Sequence, residues 1–248
     1  MIHKKSYFRV IDDPKAEAKI NMATDEALLS CFEKENLGIF RLYSWDQSFT
    51  IGAGQKFEDY PFFSLYQGNY AKRITGGGVL FHGHDLSYSL VIPTKLLEGL
   101  SIKESYEKIC LFIINFYKKL GLDAKYVKDD ESISLSKSDF CQVGFEAYDI
   151  LIDGKKIGGN AQRRTKKAIF QHGSIPIFRN NDESLNGKIG YTLEDLKIKI
   201  DYKKAKRLLN ESFLETFDVE TEASKLTKIE ENRKYTLLKE KYDYTNDN

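Results

Sequence analysis

Apolar positions early in the chain recur first at a helical and then at a strand period. Between 14 and 35, PKAEAKINMATDEALLSCFEKE places Ile20, Ala23, Ala27, Leu28 and Cys31 near one face. Asn21, Asp25 and Glu26 fall elsewhere, so a helix is predicted whose apolar side holds Cys31. The runs FRLYSW (40–45) and SFTIGAG (48–54) are aromatic and β-branched around a short polar turn, which predicts paired strands. Two more strand pieces are predicted in VLFHGHDLSYSLVIP (79–93), around a polar turn at 83–85. There Leu86, Tyr88 and Leu90 alternate with Ser87 and Ser89, the pattern of a half-buried strand.

The helical period returns in SIKESYEKICLFIINFYKKLGL (101–122). Ile109, Phe112, Ile113, Phe116 and Leu120 share a face, Cys110 packs in the same helix, and Gly121 is placed to stop it. The polar stretch KDDESISLSKSDF (128–140) predicts a loop that delivers Cys141. Asp153-Gly154 suits a tight hairpin turn inside YDILIDGKKIGGNAQRR, and AIFQHGSIPIF (168–178) predicts the next strand. From 191 onward the pattern is helical and rich in charge, with no repeat and no Gly/Pro/Ser-rich linker anywhere. The expected class is therefore α+β, a mixed β-sheet with packed helices in one domain over 1–248. Its core is expected over about 15–200, with a C-terminal helical segment over 201–248.

Composition narrows the partners more than the fold. A formal charge of +1 gives no global pull toward nucleic acid or a membrane surface, so recognition must be local. The N-terminal residues have no apolar run of signal-peptide length and no stretch is long enough to span a bilayer, so a cytoplasmic protein is expected. Three cysteines at wide spacing suggest neither a disulfide framework nor a thiolate metal site, and no metal ligand set is expected.

Two segments carry candidate chemistry. In KRITGGGVLFH (72–82), three consecutive glycines mark either a sharp hairpin or a close approach of backbone to a ligand. Lys72 and Arg73 before them and His82 after them favour an anion or a polar acyl head group, and the spacing is not that of a Walker P-loop. In GKKIGGNAQRR (154–164), strand alternation puts Lys156 and Gly158 on one face and Lys155 and Ile157 on the other. One lysine then points toward whatever that face covers, unless both belong to a solvated surface pair.

Taken together with HDLSYSLVIP (84–93) and YDILIDGKKIGGNAQRRTKKAIFQHGSIPI (148–177), the glycine segment resembles the biotin/lipoate protein ligase and acyltransferase superfamily over roughly residues 15–240. The resemblance implies a mixed sheet with packed helices forming a tunnel for an acyl chain. It implies that Gly76, Gly77 and Gly78 line the tunnel, that Arg73 and His82 shape its polar end, and that Gly158 and Asn160 bind substrate. Lys156 matches the family lysine that contacts the acyl carbonyl. The aromatic candidates for closing the tunnel are Phe81, Tyr88 and Phe145, which read equally as core.

Cys141 separates the branches. Its place seven residues before Tyr148 is similar to that of the nucleophile in octanoyltransferases that modify the glycine cleavage H protein. That branch implies octanoyl-acyl carrier protein as donor, a lipoyl domain such as the H protein as acceptor, a monomeric enzyme and no cofactor. The residues after Cys141, Gln142 to Gly144, depart from that branch, and a full glycine triplet is common in ATP-dependent lipoate ligases. A ligase using ATP and Mg, with Cys141 incidental, therefore stays open, as does a non-enzymatic protein that binds acyl groups or lipoyl domains. Biotin ligases carry a different glycine-rich motif. The basic turn RRTKK (163–167) is either a meeting point for an acidic carrier or lipoyl domain or a solvated turn.

A cysteine route is chemically sufficient. Transfer from a phosphopantetheine thioester to a thiol is nearly isoenergetic and the following amide formation is downhill. The attacking species must be a thiolate. A nearby ammonium such as Lys156 would favour it and stabilise the developing oxyanion.

Overall fold

The computed structural model describes residues 6–33, 37–60, 66, 68–136, 138–185 and 187–244. In chain order the elements are β1 (Tyr7–Asp12), α1 (Ala18–Ser30), β2 (Leu37–Ser44), β3 (Ser48–Ile51), β4 (Tyr70–Lys72), β5 (Leu80–His82) and β6 (Asp85–Pro93). They continue with α2 (Ile102–Lys119), β7 (Ala124–Tyr126), β8 (Ile150–Ile152), β9 (Lys155–Lys156), β10 (Gly159–Arg164) and β11 (Ala168–Pro176). The last are α3 (Tyr202–Phe217), β12 (Glu220–Ser224) and α4 (Lys228–Glu240).

Six strands form the main sheet in the order β10-β11-β6-β2-β1-β12. β1 runs parallel to β2 and β12, and the remaining pairs are antiparallel. Strand alternation gives the sheet two different faces. On one, Phe40, Leu42, Tyr88, Leu90 and Ile92 join the apolar residues of α2 and α3 in the largest core cluster. There the Phe40 and Phe213 rings stack with centroids 4.3 Å apart. α2 starts at a capping box in which Ser101 and Glu104 satisfy each other's backbone N–H, and its predicted face of Ile109, Phe112, Ile113 and Phe116 is buried.

The opposite face departs from the half-buried pattern expected for β6, which is buried at all nine positions. Ser87 and Ser89 point into a polar layer: the Trp45 indole N–H donates to Ser87 at 2.8 Å and Ser89 donates to Asp25 at 2.7 Å. The polar residues expected off the apolar side of α1 meet them there. Asn21 and Asp25 are as buried as Ala23 and Ala27, because Arg41 and Tyr43 of β2 supply their partners. Cys31, expected on the packed face, stands half-buried just past the end of α1, and Cys110 is fully buried in α2.

Two three-stranded sheets, β4-β3-β5 and β7-β8-β9, carry the segments of chemical interest. The predicted Asp153-Gly154 hairpin is present, with Leu151 opposite Lys156 and Ile152 opposite Lys155. The wholly helical C-terminal segment is not: β12 adds a parallel strand beside β1 between α3 and α4. Among the described residues, no helix is long and apolar enough to cross a membrane.

Candidate active site

The glycine segment and the cysteine loop are tied together through their backbones. The Val79 N–H donates to the Asp139 carbonyl at 2.7 Å and the Cys141 N–H donates to the Val79 carbonyl at 2.8 Å. Any side chain at Gly78 would put its Cβ 2.4 Å from the Asp139 oxygen, so this tie needs a glycine. It sets the Cys141 sulfur among glycines: a Cβ on Gly77 would stand 3.6 Å from Sγ, and one on Gly159 would stand 3.9 Å away.

The hairpin brings Lys156 to the same place by another route. Of the two lysines, Lys155 is exposed and Lys156 is 5% exposed, which settles which one faces inward. Its ammonium donates to the Cys141 carbonyl at 2.6 Å and to the Gly144 carbonyl at 2.5 Å, and pairs with the Asp149 carboxylate at 2.6 Å. Three donors therefore meet three acceptors, all from the segment 141–149. In this state Lys156 clamps the cysteine loop through its backbone. Burial pushes the Asp149 carboxyl up, against the pull of the Lys156 ammonium.

Asp149 was missed in the sequence, although the hairpin register contains it. With Leu151 opposite Lys156, residue 149 lies two positions along the same strand face and diagonal to the lysine. The strand itself does not continue through Gly158 as expected. Gly158 adopts a positive φ of 86°, which turns the chain from the small sheet into β10 of the main one. Gly158 consequently lines neither cavity described next.

A cleft of about 810 Å³ opens beside Cys141, lined by Gly76, Gly77, Gly78, Lys156, Asp149 and Asn160 among others. Behind it lies an inner chamber of about 30 Å³, bounded by Arg73, His82, Met22, Tyr43 and Trp45 among others. Among the described residues, only Cys141, Asn160 and Ala161 line both. Of the expected aromatic closers, Phe81, Tyr88 and Phe145 line neither space: Phe81 packs in a separate apolar cluster and Tyr88 belongs to the main core.

Arg73 and His82 are fixed in the chamber wall. The Arg73 guanidinium donates to the Thr50 carbonyl and hydroxyl at 3.1 and 2.9 Å, and to the Gly76 and Gly78 carbonyls at 3.3 and 2.7 Å. It thus holds the glycine segment from inside. Burial pushes its pKa down, and the neighbouring Cys141 sulfur opposes that shift. His82 stacks on Trp45 at 3.7 Å, with one ring nitrogen 2.9 Å from the Thr50 hydroxyl and the other 3.0 Å from Asp85. Burial opposes a charge on Asp85, yet His82 and the hydrogen bonds from His82 and Ser174 hold its carboxyl at about 2.

A second connection also escaped the sequence. The Thr75 hydroxyl lies 2.6 Å from Nε2 of His172, whose Nδ1 faces Asp25 at 3.6 Å. The glycine segment is thereby linked to the polar layer under the sheet. Burial pushes the His172 imidazole down. Asn160, at the head of β10, accepts a 2.5 Å hydrogen bond from the Tyr88 hydroxyl at Oδ1, while its Nδ2 is buried without a partner among the described residues. Leaving such a donor unpaired costs about 1–3 kcal/mol.

The chain is similar to known proteins over most of its length. Residues 17–225 match the family model described as the lipoyl protein ligase A/B catalytic domain. The chain is 28% identical to octanoyltransferase LipM of Oceanobacillus iheyensis, over 95% of this chain and 94% of that protein. It is 31% identical to octanoyltransferase LipM of Geobacillus kaustophilus, over 87% of this chain and 82% of that protein. Among solved structures, a protein described as a lipoate protein ligase from T. acidophilum, with bound lipoic acid, superposes with a TM-score of 0.78 at 25% identity, covering 96% of each chain. Lipoate-protein ligase A bound with ATP shares the fold at a TM-score of 0.76 and 23% identity, again over 96% of each chain. With a backbone tie that seats a cysteine against the glycine segment, and a family match over most of its length, the chain belongs to the lipoyl protein ligase A/B catalytic-domain family.

Proposed function

We propose that this protein is an octanoyltransferase that carries its acyl group as a thioester on Cys141 and delivers it to a lysine of a lipoyl domain. The observation that carries the reading is the position of Cys141, whose side chain borders both the open cleft and the inner chamber. A thioester on that sulfur has its acyl chain on the chamber side and its reactive carbon toward the cleft. The chamber holds about the volume of one water in the liquid, so the chain enters by displacing adaptable wall residues, Met22 foremost. The curated relatives bearing the name octanoyltransferase support the same reaction.

In the first half-reaction the Cys141 thiolate attacks the donor thioester carbon; a bond to Sγ forms, the donor carbon–sulfur bond breaks, and the leaving thiol takes up the proton that Cys141 gave. In the second, the acceptor amine attacks, its nitrogen loses a proton, and Cys141 leaves as thiol. Lys156 positions the sulfur through the Cys141 carbonyl, and exchanging one of its three acceptors would let it meet the acyl oxygen. The donor is an octanoyl-acyl carrier protein and no nucleotide is consumed. One catalytic domain acting as a monomer suffices for these steps, with the residues of both cavities drawn from the whole length between Met22 and Ser174.

The ligase reading draws on the fold shared with an ATP-bound ligase, but the cleft lining favours the transferase. It offers nucleotide phosphates the carboxylates of Asp139, Glu146 and Asp149 and one ammonium whose donors are already taken. The test is intact-protein mass spectrometry after mixing the chain with octanoyl-acyl carrier protein in the absence of ATP, beside Cys141→Ala. One octanoyl adduct on the wild type alone is the expected result. No adduct, with a lipoyl domain modified only when ATP and free lipoate are supplied, would make the protein a ligase.

A further inference from the structure

We infer that Asn160 is a further catalytic residue: its Nδ2–H group donates to the thioester oxygen as negative charge develops there. The inference rests on the acyl-transfer reading above. Of the three residues bordering both cavities, Cys141 and Asn160 alone have polar side chains, and Asn160 follows Gly159, whose added Cβ would stand 3.9 Å from the Cys141 sulfur, so a thioester on Sγ forms beside this residue.

The orientation of the amide is set by a chain of hydrogen bonds that begins in the core. Gln162 donates to the Gln171 side-chain oxygen at 2.7 Å, and the Cys110 thiol donates to it at 3.5 Å. The Gln171 amide nitrogen must then be the group that donates to the Tyr88 hydroxyl, at 2.8 Å. With that acceptor site filled, the Tyr88 O–H donates onward to Oδ1 of Asn160 at 2.5 Å. Oδ1 is held, so Nδ2 is the other end of the amide, a buried donor without a hydrogen-bond partner among the described residues.

Gly173 is part of the same device. A Cβ there would lie 2.3 Å from Asn160 Oδ1 and 2.6 Å from the Tyr88 ring, so only glycine leaves room for the two side chains to meet. A donor oriented in advance and left unpaired is what a developing oxyanion requires, since no partner has to be released when the charge appears.

The electron and proton balance of the reaction is unchanged by this role. Asn160 gives up no proton; it stabilises the tetrahedral intermediate in both half-reactions while the C–S bonds form and break around it. Tyr88 touches no substrate and is a positioning residue for the amide.

The test is single-turnover acylation of Cys141 by octanoyl-pantetheine, followed by mass spectrometry, and by the matching dithioester in which sulfur replaces the carbonyl oxygen. Sulfur accepts hydrogen bonds poorly, so the wild type should prefer the thioester over the dithioester strongly. Asn160→Ala should acylate about 100-fold more slowly with the thioester. It should change little with the dithioester, so the preference collapses. Tyr88→Phe should lose several-fold with the thioester and change little with the dithioester, with a melting temperature lowered by a few degrees because the Gln171 amide loses its acceptor. If the wild type acylates while Asn160→Ala keeps both its rate and its oxygen preference, the role of Asn160 is refuted and the function stands. If the wild type forms no adduct with either ester, the function fails and this inference with it.

Discussion

Arg41 and Arg73 are both buried cations, 1% and 5% exposed, yet they sit in opposite kinds of surroundings. Arg41, in the polar layer under the sheet, donates to Asp13 at 2.6 Å and to Asp25 at 2.8 Å, and its third nitrogen reaches Asn21. Its pKa is raised despite burial, because two carboxylates outweigh the loss of water. Arg73, beside Cys141, donates only to carbonyls and a hydroxyl, and burial drives its pKa down. The first charge is closed on itself and holds the fold. The second is left without a carboxylate among the described residues and lies beside Cys141 and Tyr43. The two arginines thus differ in what neutralises them: carboxylates for Arg41, only neutral oxygens for Arg73.

The comparison breaks most visibly at Asp25. Asp25→Ala removes the acceptor of Arg41, Tyr43 and Ser89 together and should destabilise the protein by about 3–5 kcal/mol, read from the urea midpoint. A midpoint close to the wild type would mean that the Arg41 network is not structural. Arg73→Met should do the reverse: a smaller stability change, but acylation of Cys141 slowed by about 100-fold, or some 2.7 kcal/mol of barrier. Equal losses of stability in the two variants would erase the distinction.

Asp85 offers a third probe through pH. Its carboxyl is held at about 2, below its ordinary 3.8, so its ionised form is favoured by the fold. That contribution, about 2–3 kcal/mol, is present in full above pH 3.8 and is lost as pH falls through 2. Denaturation midpoints of Asp85→Asn should show a flatter acid limb than the wild type over that window. The smallest effect is expected at Asp149→Asn, which leaves the Lys156 ammonium with its two carbonyl acceptors. Transfer should fall by about tenfold, or 1.4 kcal/mol, with little change in melting temperature. An unchanged rate would show that Asp149 does not position the lysine.

Much of the scaffold was readable from residue periods, because α2 and the Asp153-Gly154 hairpin each obey one local rule. The glycine segment, Cys141 and Lys156 were singled out too, through family likeness more than through spacing, and the structure brings them together. What escaped was decided by distant partners. Ser87 and Ser89 look like the wet side of a strand until Asp25 and Trp45 arrive from other elements to cover them. β12 reads as part of a charged helical tail, and becomes a strand only because β1 presents an edge for it. Asp149 could have been found by counting back from the hairpin turn. The orientation of Asn160 could not, since Tyr88, Gln171 and Gly173 fix it from two other strands.

The tie between Val79 and the cysteine loop also bears on when the protein becomes reactive. It joins segments far apart in sequence, so it closes only after a long stretch of chain has been ordered, and such contacts form late and slowly. A nascent or partly unfolded chain therefore carries the thiol of Cys141 without Arg73, the glycine wall or the lysine clamp around it. On the proposed mechanism reactivity is acquired with the native state, and an incompletely folded molecule would not draw acyl groups from a donor.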